Sequence, residues 1–189
     1  KLYIMKKIFY LLSVVVPLFS FAQQTNTIAL QANIGLMSGK GEFIGNNASN
    51  ISLGAQFFVR NGDYFIESNL FIQDYFVDKE KLNLPYQLYG LSVLGGYSYE
   101  IGKLYLNFKG GGFIGKEKVN RGKDIEEVHG TFLKNSVNSF TYGVVVSPEF
   151  EFRIWEKLNG VANFNQYWNI KSKYADWKYS INLGLKYYL

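Results

Sequence analysis

Apolar and polar residues alternate along most of this chain, and this alternation restricts the possible folds more than any other feature. It is clearest in the C-terminal segment WKYSINLGLKYYL (177–189), where every odd position is apolar and the even positions up to Lys186 are polar or glycine. A period of two places successive side chains on opposite faces of a β-strand. From Thr27 onward there are eight such runs, and no segment keeps a helical period. The sequence therefore predicts an all-β protein.

The length of the runs and the pattern of their connections predict a particular kind of β-protein. Each run has about 10 to 15 residues, whereas ordinary strands average about 5 to 6 residues and membrane-spanning strands need about 9 to 11. We expect longer connections (38–50, 77–84, 116–138 and 171–176) to alternate with short turns (61–63, 100–103 and 156–160). Outer-membrane barrels combine external loops with short periplasmic turns. The pattern therefore predicts an eight-stranded antiparallel up-and-down transmembrane β-barrel in the outer membrane of a Gram-negative bacterium, with both termini in the periplasm.

A soluble secreted sandwich or a lipocalin-like barrel is the alternative to a membrane barrel. In either soluble fold, the apolar face of each strand would point inward and the exterior would be polar. The length of the strands speaks against this alternative. So do four aromatic residues near the ends of the runs, where membrane barrels carry interfacial girdles. They are Tyr64, Trp168, Trp177 and Tyr187.

The N-terminal segment MKKIFYLLSVVVPLFSFAQQ, which starts at Met5, has the pattern of a secretory signal peptide. Two lysines precede an apolar run from Ile8 to Phe21, and small residues precede the expected cleavage site after Ala22. A transmembrane anchor is disfavoured because the run is short for a spanning helix. We therefore expect residues 1–22 to hold a cleaved leader with a few upstream residues, and residues 23–189 to form the barrel.

Charge and cysteine content exclude several classes of function. The full chain has 20 basic and 15 acidic residues, but three lysines lie in the leader, which leaves 17 basic residues and a net charge of +2 in the mature part. So small a charge gives no argument for nucleic-acid binding, and no direct nucleic-acid partner is expected. The absence of cysteine excludes disulfides, a thiol nucleophile and a cysteine-based zinc site.

Two local patterns resemble binding or catalytic motifs but lack the context that such motifs require. The segment GGGFIGKE (110–117) has the glycine spacings of nucleotide-binding loops, but no helix follows it, and Glu117 stands where a P-loop has Ser or Thr. These glycines are better explained as bends or as space for interior aromatic residues. His129 is the only histidine, which is too few for the usual zinc centre. The sequence therefore predicts no enzymatic activity, no cofactor and no metal site.

If the apolar face contacts lipid, the polar face must line the lumen. The interior of an eight-stranded barrel is about filled by side chains, and an unpaired buried charge is costly. We therefore expect a structural network of ion pairs rather than a proton or ion path. Lys109 should lie opposite Glu149 on the adjacent strand, with Glu151 and Arg153 continuing the network toward the periplasm. The predicted lumen residues are Glu67, Lys109, Glu149, Glu151, Arg153, Lys178 and Lys186.

Two further segments predict contacts with partners. The C-terminal strand resembles the assembly signal of outer-membrane barrels, which combines a polar residue, a glycine and hydrophobic residues two apart. Its residues here are Asn182, Gly184, Tyr187 and Leu189. The expected partners are outer-membrane lipids and the barrel-assembly machinery. The longest connection is a candidate partner-binding loop that contains Lys118, Arg121, Lys123, Asp124, Glu126, Glu127 and His129.

Several longer segments carry a family resemblance. The leader ends in FAQ, Leu84-Pro85 opens a strand that runs to LGGYSY, and the chain contains DYFVDKEKLNLP, YGVVVSPEFEF and NQYWNIKS before the ending LGLKYYL. Together these segments, from about Ile28 to Leu189, resemble the TraO-type conjugal transfer proteins carried by conjugative transposons of Bacteroidetes. The resemblance implies a structural or interaction role in a mating apparatus at the outer membrane, with other conjugation proteins as candidate partners.

Two other functions are open from the residues. One is a general small surface barrel of the OmpA or OmpX type, which acts in adhesion or envelope integrity. The other is an outer-membrane enzyme that acts on lipid, which would need a Ser/His constellation near a strand end. The lone histidine, in a loop, argues against the enzyme.

Overall fold

The chain forms a closed, eight-stranded antiparallel β-barrel with the strands in sequence order around the wall. This computed structural model describes residues 28–38, 48–59, 63–79, 82–102, 104–125, 130–133, 138–172 and 176–189. The predicted fold class is therefore confirmed, whereas the predicted leader lies outside the described residues. No helix in the described ranges is long and apolar enough to span a membrane. The strands are β1 (Ile28–Met37), β2 (Ser49–Val59), β3 (Tyr64–Lys79), β4 (Leu82–Ile101), β5 (Leu104–Val119), β6 (Asn138–Arg153), β7 (Leu158–Asn169) and β8 (Trp177–Tyr188).

The last strand closes the barrel against the first. The β1–β8 ladder is antiparallel and runs from the pair Ala29 and Tyr188 to the pair Met37 and Ser180. The Leu189 amide also donates a hydrogen bond of 2.9 Å to the Ile28 carbonyl. The amphipathic pattern at the C-terminus therefore belongs to a strand that is paired on both sides, so neither β1 nor β8 is left as an open edge.

The two ends of the barrel differ. The end that holds Ile28 and Leu189 also holds the β2–β3, β4–β5 and β6–β7 connections, and we call it the turn end. The opposite end holds the β1–β2, β3–β4, β5–β6 and β7–β8 connections, and we call it the loop end. The β5–β6 connection contains a short 3-10 turn over Asn120–Gly122 and an isolated bridge between Ile125 and Phe132.

Three strands, β3 to β5, are longer than their apolar alternation predicts, whereas β6 has the predicted length. β3 to β6 have 16, 20, 16 and 16 residues, whereas β1 and β2 have 10 and 11. The predicted long connection over 77–84 is wrong, because β3 continues to Lys79 and pairs there with Leu82 of β4. Polar residues occupy positions of both parities in this region, which hides a strand from a search for apolar alternation.

The barrel wall is apolar outside, and its inward face carries most of the polar and charged side chains of the strands. Ile34, Leu70 and Leu183 point outward, and each is 65% exposed. Gln56 and Lys186 point inward and are fully buried. This is the reverse of the polarity that a soluble barrel needs, because a soluble barrel must put its polar face in water. An apolar outer band around a polar interior is the arrangement of barrels that lie in lipid.

The interior has two layers. In the half toward the loop end, apolar and aromatic side chains form one cluster, which includes Phe71, Tyr75, Tyr86, Phe113 and Tyr167. The half toward the turn end holds charged and amide side chains. In the described residues, side chains therefore fill both halves of the lumen.

Candidate functional site

A chain of ion pairs crosses the lumen in the half toward the turn end. Lys109 Nζ of β5 lies 2.9 Å from Glu67 Oε2 of β3 and 2.8 Å from Glu149 Oε2 of β6. Lys186 Nζ of β8 lies 2.7 Å from the other oxygen of Glu149 and also pairs with Glu151. Two lysines therefore link three carboxylates from one side of the barrel to the other. All five side chains are at most 2% exposed.

The register around this network differs from the predicted one. Lys109 lies opposite Ser147, and Glu149 lies opposite Asn107. The prediction is therefore wrong by two residues, although the Lys109–Glu149 contact exists. A lysine side chain is long enough to reach a diagonal neighbour on the next strand, so a correct contact does not fix the register.

Amide side chains complete the network, and the sequence analysis did not single them out. Asn107 donates hydrogen bonds of 2.9 Å to both Glu149 and Glu151, and Gln31 donates one of 2.8 Å to Glu149. Gln56 and Asn69 donate to Glu67. A buried ion pair is stable only when its remaining lone pairs are satisfied, which is what these amides provide. On β1, β2, β3 and β5, these asparagines and glutamines occupy the alternate positions that face the lumen. That placement is the signal in the sequence that could have identified them.

Arg153 does not belong to the buried network, and this corrects the prediction. It is the last residue of β6 and is exposed at the turn end. Its guanidinium donates a hydrogen bond of 2.6 Å to the Tyr105 hydroxyl and lies 6.0 Å from the centre of that ring. Water is accessible at the barrel mouth, so the arginine has no need of a carboxylate partner there.

Lys178 points into the aromatic layer rather than into the ion-pair network. Its Nζ lies 5.5 to 5.9 Å from the ring centres of Tyr75, Tyr86, Phe113 and Tyr167. The ammonium has no hydrogen-bond partner in the described part of the chain. Ring faces attract a cation, and this attraction is stronger in a dry site. The four rings therefore replace the carboxylates that hold the other two lumenal lysines.

A buried carboxylate, Glu117, closes the aromatic layer near the loop end. Tyr86 and Ser172 donate hydrogen bonds of 2.8 Å to one of its oxygens, and Ser139 donates one of 2.5 Å to the other. The sequence analysis considered Glu117 only as part of a false phosphate-binding motif. Its side chain points inward, whereas its neighbours Lys116 and Lys118 point outward.

The lumen has little free space at the level of the ion pairs. A cavity of about 20 Å³ is lined by Asn33, Glu67, Asn69, Lys109 and Tyr167, among others. A single water molecule needs about 10 to 15 Å³ by this measure, so the cavity has room for about one. Hydrogen-bonded carboxylates and ammonium groups in such a packed section form a rigid plug. In the described residues, no group of three acidic, histidine or cysteine side chains is placed to hold a metal ion.

The predicted assembly residues lie on both faces of β8. Asn182 and Gly184 face the lumen, and Tyr187 and Leu189 face outward. Gly184 lies opposite Asn33 of β1, and a Cβ at position 184 would overlap the Asn33 side chain and the Ala32 carbonyl. A glycine is therefore required for the close approach of β8 to β1. On the other strand, Gly35 of β1 lies opposite Asn182 of β8, and a Cβ at position 35 would overlap the Asn182 side chain.

Comparisons with known proteins support the architecture. No family model and no curated protein sequence matches the chain. Ail, the attachment invasion locus protein of Yersinia pestis, is similar at 16% identity over 87% of this chain and 97% of that chain, with a TM-score of 0.52. Neisserial surface protein A is 10% identical over 86% of this chain and 96% of that chain, with a TM-score of 0.57. A major outer membrane protein from Thermus thermophilus is 9% identical over 88% of this chain and 100% of that chain, with a TM-score of 0.63. This chain has the fold of a small outer-membrane barrel. Identities this low show the fold alone.

Part of the predicted partner-binding loop of this barrel is described. Lys118 lies on β5 rather than in the loop, which corrects the prediction, because its backbone pairs with Gln87 of β4 and Asn138 of β6. It points outward, and its Nζ lies 5.7 Å from the centre of the Tyr89 ring. Arg121, Lys123 and Asp124 are exposed in the β5–β6 connection. The remaining predicted loop residues, Glu126, Glu127 and His129, lie outside the described residues.

The β5–β6 connection also exposes two apolar side chains. Ile125 and Phe132 pair across an isolated bridge, and they are 56% and 68% exposed. The sequence does not predict this pair, because isolated apolar residues in a loop show no periodic signal.

Proposed function

We propose that this protein is a non-enzymatic outer-membrane barrel that works by presenting a protruding sheet at the cell surface. The observation that carries the proposal is the length of β3 to β6, which have 16 to 20 residues. A tilted strand crosses the bilayer with about 9 to 11 residues. Several residues of β3 and β4, beyond Asp74 and Gln87, are therefore left to extend past the membrane at the loop end, together with the adjoining ends of β5 and β6.

Within the described residues, the protruding sheet has two side edges where the ladder to the next strand stops. The β2–β3 ladder ends at the pair Ser49 and Asp74, so in that part of the chain the last residues of β3 pair with β4. The β6–β7 ladder begins at Gly143, so the first residues of β6 pair mainly with β5. Exposed strand edges and the apolar pair Ile125 and Phe132 are features that recognise other proteins. They support the adhesion or surface-interaction alternative better than a transport function.

Transport and catalysis have weaker support. The ion-pair network and the aromatic layer fill the described sections of the lumen, which favours a plug over a path for ions. A catalytic function still lacks a nucleophile next to a base near a strand end in the described residues. We expect the barrel to produce no steady conductance in a planar bilayer under conditions in which a porin of known conductance is active.

Conjugal transfer remains a second candidate because of the segments YGVVVSPEFEF, NQYWNIKS and LGLKYYL, which resemble TraO-type proteins. In that case the partner of the protruding sheet would be another protein of the mating apparatus. The barrel-assembly machinery and outer-membrane lipids would be shared partners of either function. A location in the outer membrane of a Gram-negative bacterium, with both termini in the periplasm, belongs to the same proposal.

The test removes the β3–β4 hairpin of the protruding sheet and keeps the barrel. Residues 77–84 are replaced by Asn-Gly, which gives β3 and β4 a tight hairpin turn at a lower level. A deletion strain is complemented with the parent or with this variant, and attachment, mating frequency and detergent sensitivity are measured. We expect the variant to fold and to restore detergent resistance but not attachment or mating. Full restoration of all three by the variant would overturn the proposal, and a loss of mating alone would favour conjugation over adhesion.

A further inference from the structure

The outward face changes from apolar to polar across one row of residues near the loop end. Ser49, Asp74, Gln87, Lys118 and Asn138 are paired side by side across five strands, and all of them are polar. The next outward row toward the turn end is mostly apolar, and it contains Ile51, Ile72, Tyr89, Lys116 and Phe140. The boundary between these rows marks the depth at which the hydrocarbon of a bilayer would give way to lipid headgroups.

Two lysines lie at this boundary. Among the strand residues whose side chains the structure describes, Lys116 and Lys118 are the only lysines that face outward. They are two residues apart on one strand, so their Cα atoms are roughly 7 Å apart. Neither forms an ion pair within the described residues. Lys171 adds a third cation, since its Nζ lies 5.8 Å from the Phe140 ring and Phe140 is the partner of Lys116.

The nearby carboxylates that the structure describes do not neutralise these lysines. Glu117 lies between them in sequence but points into the lumen, where three hydroxyl groups bind it. Asp74 faces outward in the same row as Lys118, but Gln87 lies between them and donates a hydrogen bond of 3.2 Å to Asp74. Two strand spacings of about 4.8 Å separate Asp74 from Lys118. The lysines therefore leave positive charge available at headgroup depth.

A shallow apolar groove runs from these lysines toward the middle of the barrel. Its walls come from the outward residues of β2 to β6, and Lys116 is the only charged residue in its lining. Its apolar lining residues include Leu53, Leu70, Leu91 and Ile114. A groove of this kind fits an acyl chain, and the lysines at its upper end fit an anionic headgroup attached to that chain.

We infer that Lys116, Lys118 and this groove form a binding site for a phosphate-bearing, acylated glycolipid of the outer leaflet. The phosphate contacts the two lysines, with Lys171 beside them, and an acyl chain lies along the groove over the paired Leu70 and Leu91. The inference rests on the proposed outer-membrane location. It goes beyond that proposal because it assigns one face of the barrel, between β2 and β6, to a specific lipid.

The test measures lipid binding by the refolded full barrel in dodecyl maltoside micelles. The probe is diphosphorylated lipid A, and bound lipid is counted by native mass spectrometry over a titration. The variant is Lys116→Gln with Lys118→Gln. The matched control is Lys157→Gln, which removes the same charge from an exposed lysine in the β6–β7 connection at the turn end. A second arm uses lipid A from which both phosphates have been removed.

We expect the double variant to bind lipid A about 25-fold more weakly than the parent, from roughly fivefold for each lysine that meets an anionic lipid. The affinity of the parent for dephosphorylated lipid A should be lower by a similar factor. Lys157→Gln should bind lipid A with the affinity of the parent. Parental affinity in the double variant, or an equal loss in Lys157→Gln, would overturn the inference. All proteins are first tested for a heat-dependent shift on gels. A parent without that shift would refute the membrane barrel itself rather than the lipid site.

Discussion

Lys178 and Lys186 are eight positions apart on β8, face the same lumen and are both at most 2% exposed, but among the described residues only Lys186 finds hydrogen-bond partners. Lys186 bonds to Glu149 and Glu151, whereas four aromatic rings surround Lys178. Two lysines of equal burial on one strand are therefore held in different ways. This difference gives a direct comparison of ion pairing and aromatic contact inside one barrel.

Replacement of each lysine by methionine should have unequal effects on stability. Lys186→Met leaves two buried carboxylates with less compensation, so we expect a loss of about 3–5 kcal/mol in the free energy of unfolding. Lys178→Met removes a desolvated charge and keeps the side-chain length, so the loss of ring contacts is offset and we expect a change within about 1 kcal/mol. Urea unfolding in lipid vesicles, followed by tryptophan fluorescence, measures both. Equal losses in the two variants would show that the rings hold Lys178 as strongly as carboxylates hold Lys186.

In a Lys109→Met variant, Glu67→Gln should restore more stability than Glu149→Gln. Glu149 keeps Lys186 as a partner in a Lys109→Met variant, but Glu67 loses its only ion pair in the described network. We expect Lys109→Met to cost about 3–5 kcal/mol, and the addition of Glu67→Gln to recover most of it. The addition of Glu149→Gln should recover less, because it leaves Lys186 with one carboxylate. Lys157→Met at the exposed turn is the control, and equal recovery at Glu67 and Glu149 would contradict the network described here.

Because β8 lies close to β1, we expect a methyl group added at Gly184 to destabilise the barrel more than one added at Gly110. In Gly184→Ala the new Cβ meets the Asn33 side chain and the Ala32 carbonyl, which should cost about 1–3 kcal/mol. Gly110→Ala is the matched control, because the nearest atom to its new Cβ is the Val145 carbonyl oxygen at 3.9 Å. The midpoint of urea unfolding compares the two. If Gly184→Ala were as stable as Gly110→Ala, the seam would be wider than the structure shows.

Deletion of Tyr187 to Leu189 should block assembly and leave export intact. These residues pair with Leu30, Ala29 and Ile28 at the seam, and the Tyr188 hydroxyl donates a hydrogen bond of 2.5 Å to Glu151. Their loss removes the turn-end part of the β1–β8 ladder and part of the predicted assembly signal. Cell fractionation with heated and unheated gels would detect exported but unfolded protein. A normal level of the folded form in the outer membrane would show that neither contact is needed.

The sequence predicts the fold well because lipid and a packed lumen impose opposite demands on alternate residues. That constraint places Glu67, Lys109 and Lys186 inside without any knowledge of their partners. It weakens at the loop end, where polar residues occupy positions of both parities although Val77 and Leu84 point into the core, and the alternation therefore does not predict the ends of β3 and β4. Register is also weakly specified, because a shift by two preserves the parity of every residue. The aromatic surroundings of Lys178 require contacts between residues far apart in sequence, which a periodic pattern does not contain.

The central claim is that the outward face of the barrel lies in lipid, and a depth profile along β6 tests it most directly. The chain has no cysteine, so a nitroxide label can be attached to single cysteines placed at Asn138, Tyr142, Val146, Phe150 and Ile154. All five side chains are exposed on the barrel in the structure. In proteoliposomes, we expect collisions with oxygen relative to a water-soluble nickel chelate to peak at Val146 and to fall toward Asn138 and Ile154. Equal access of the nickel chelate to all five positions would contradict the account.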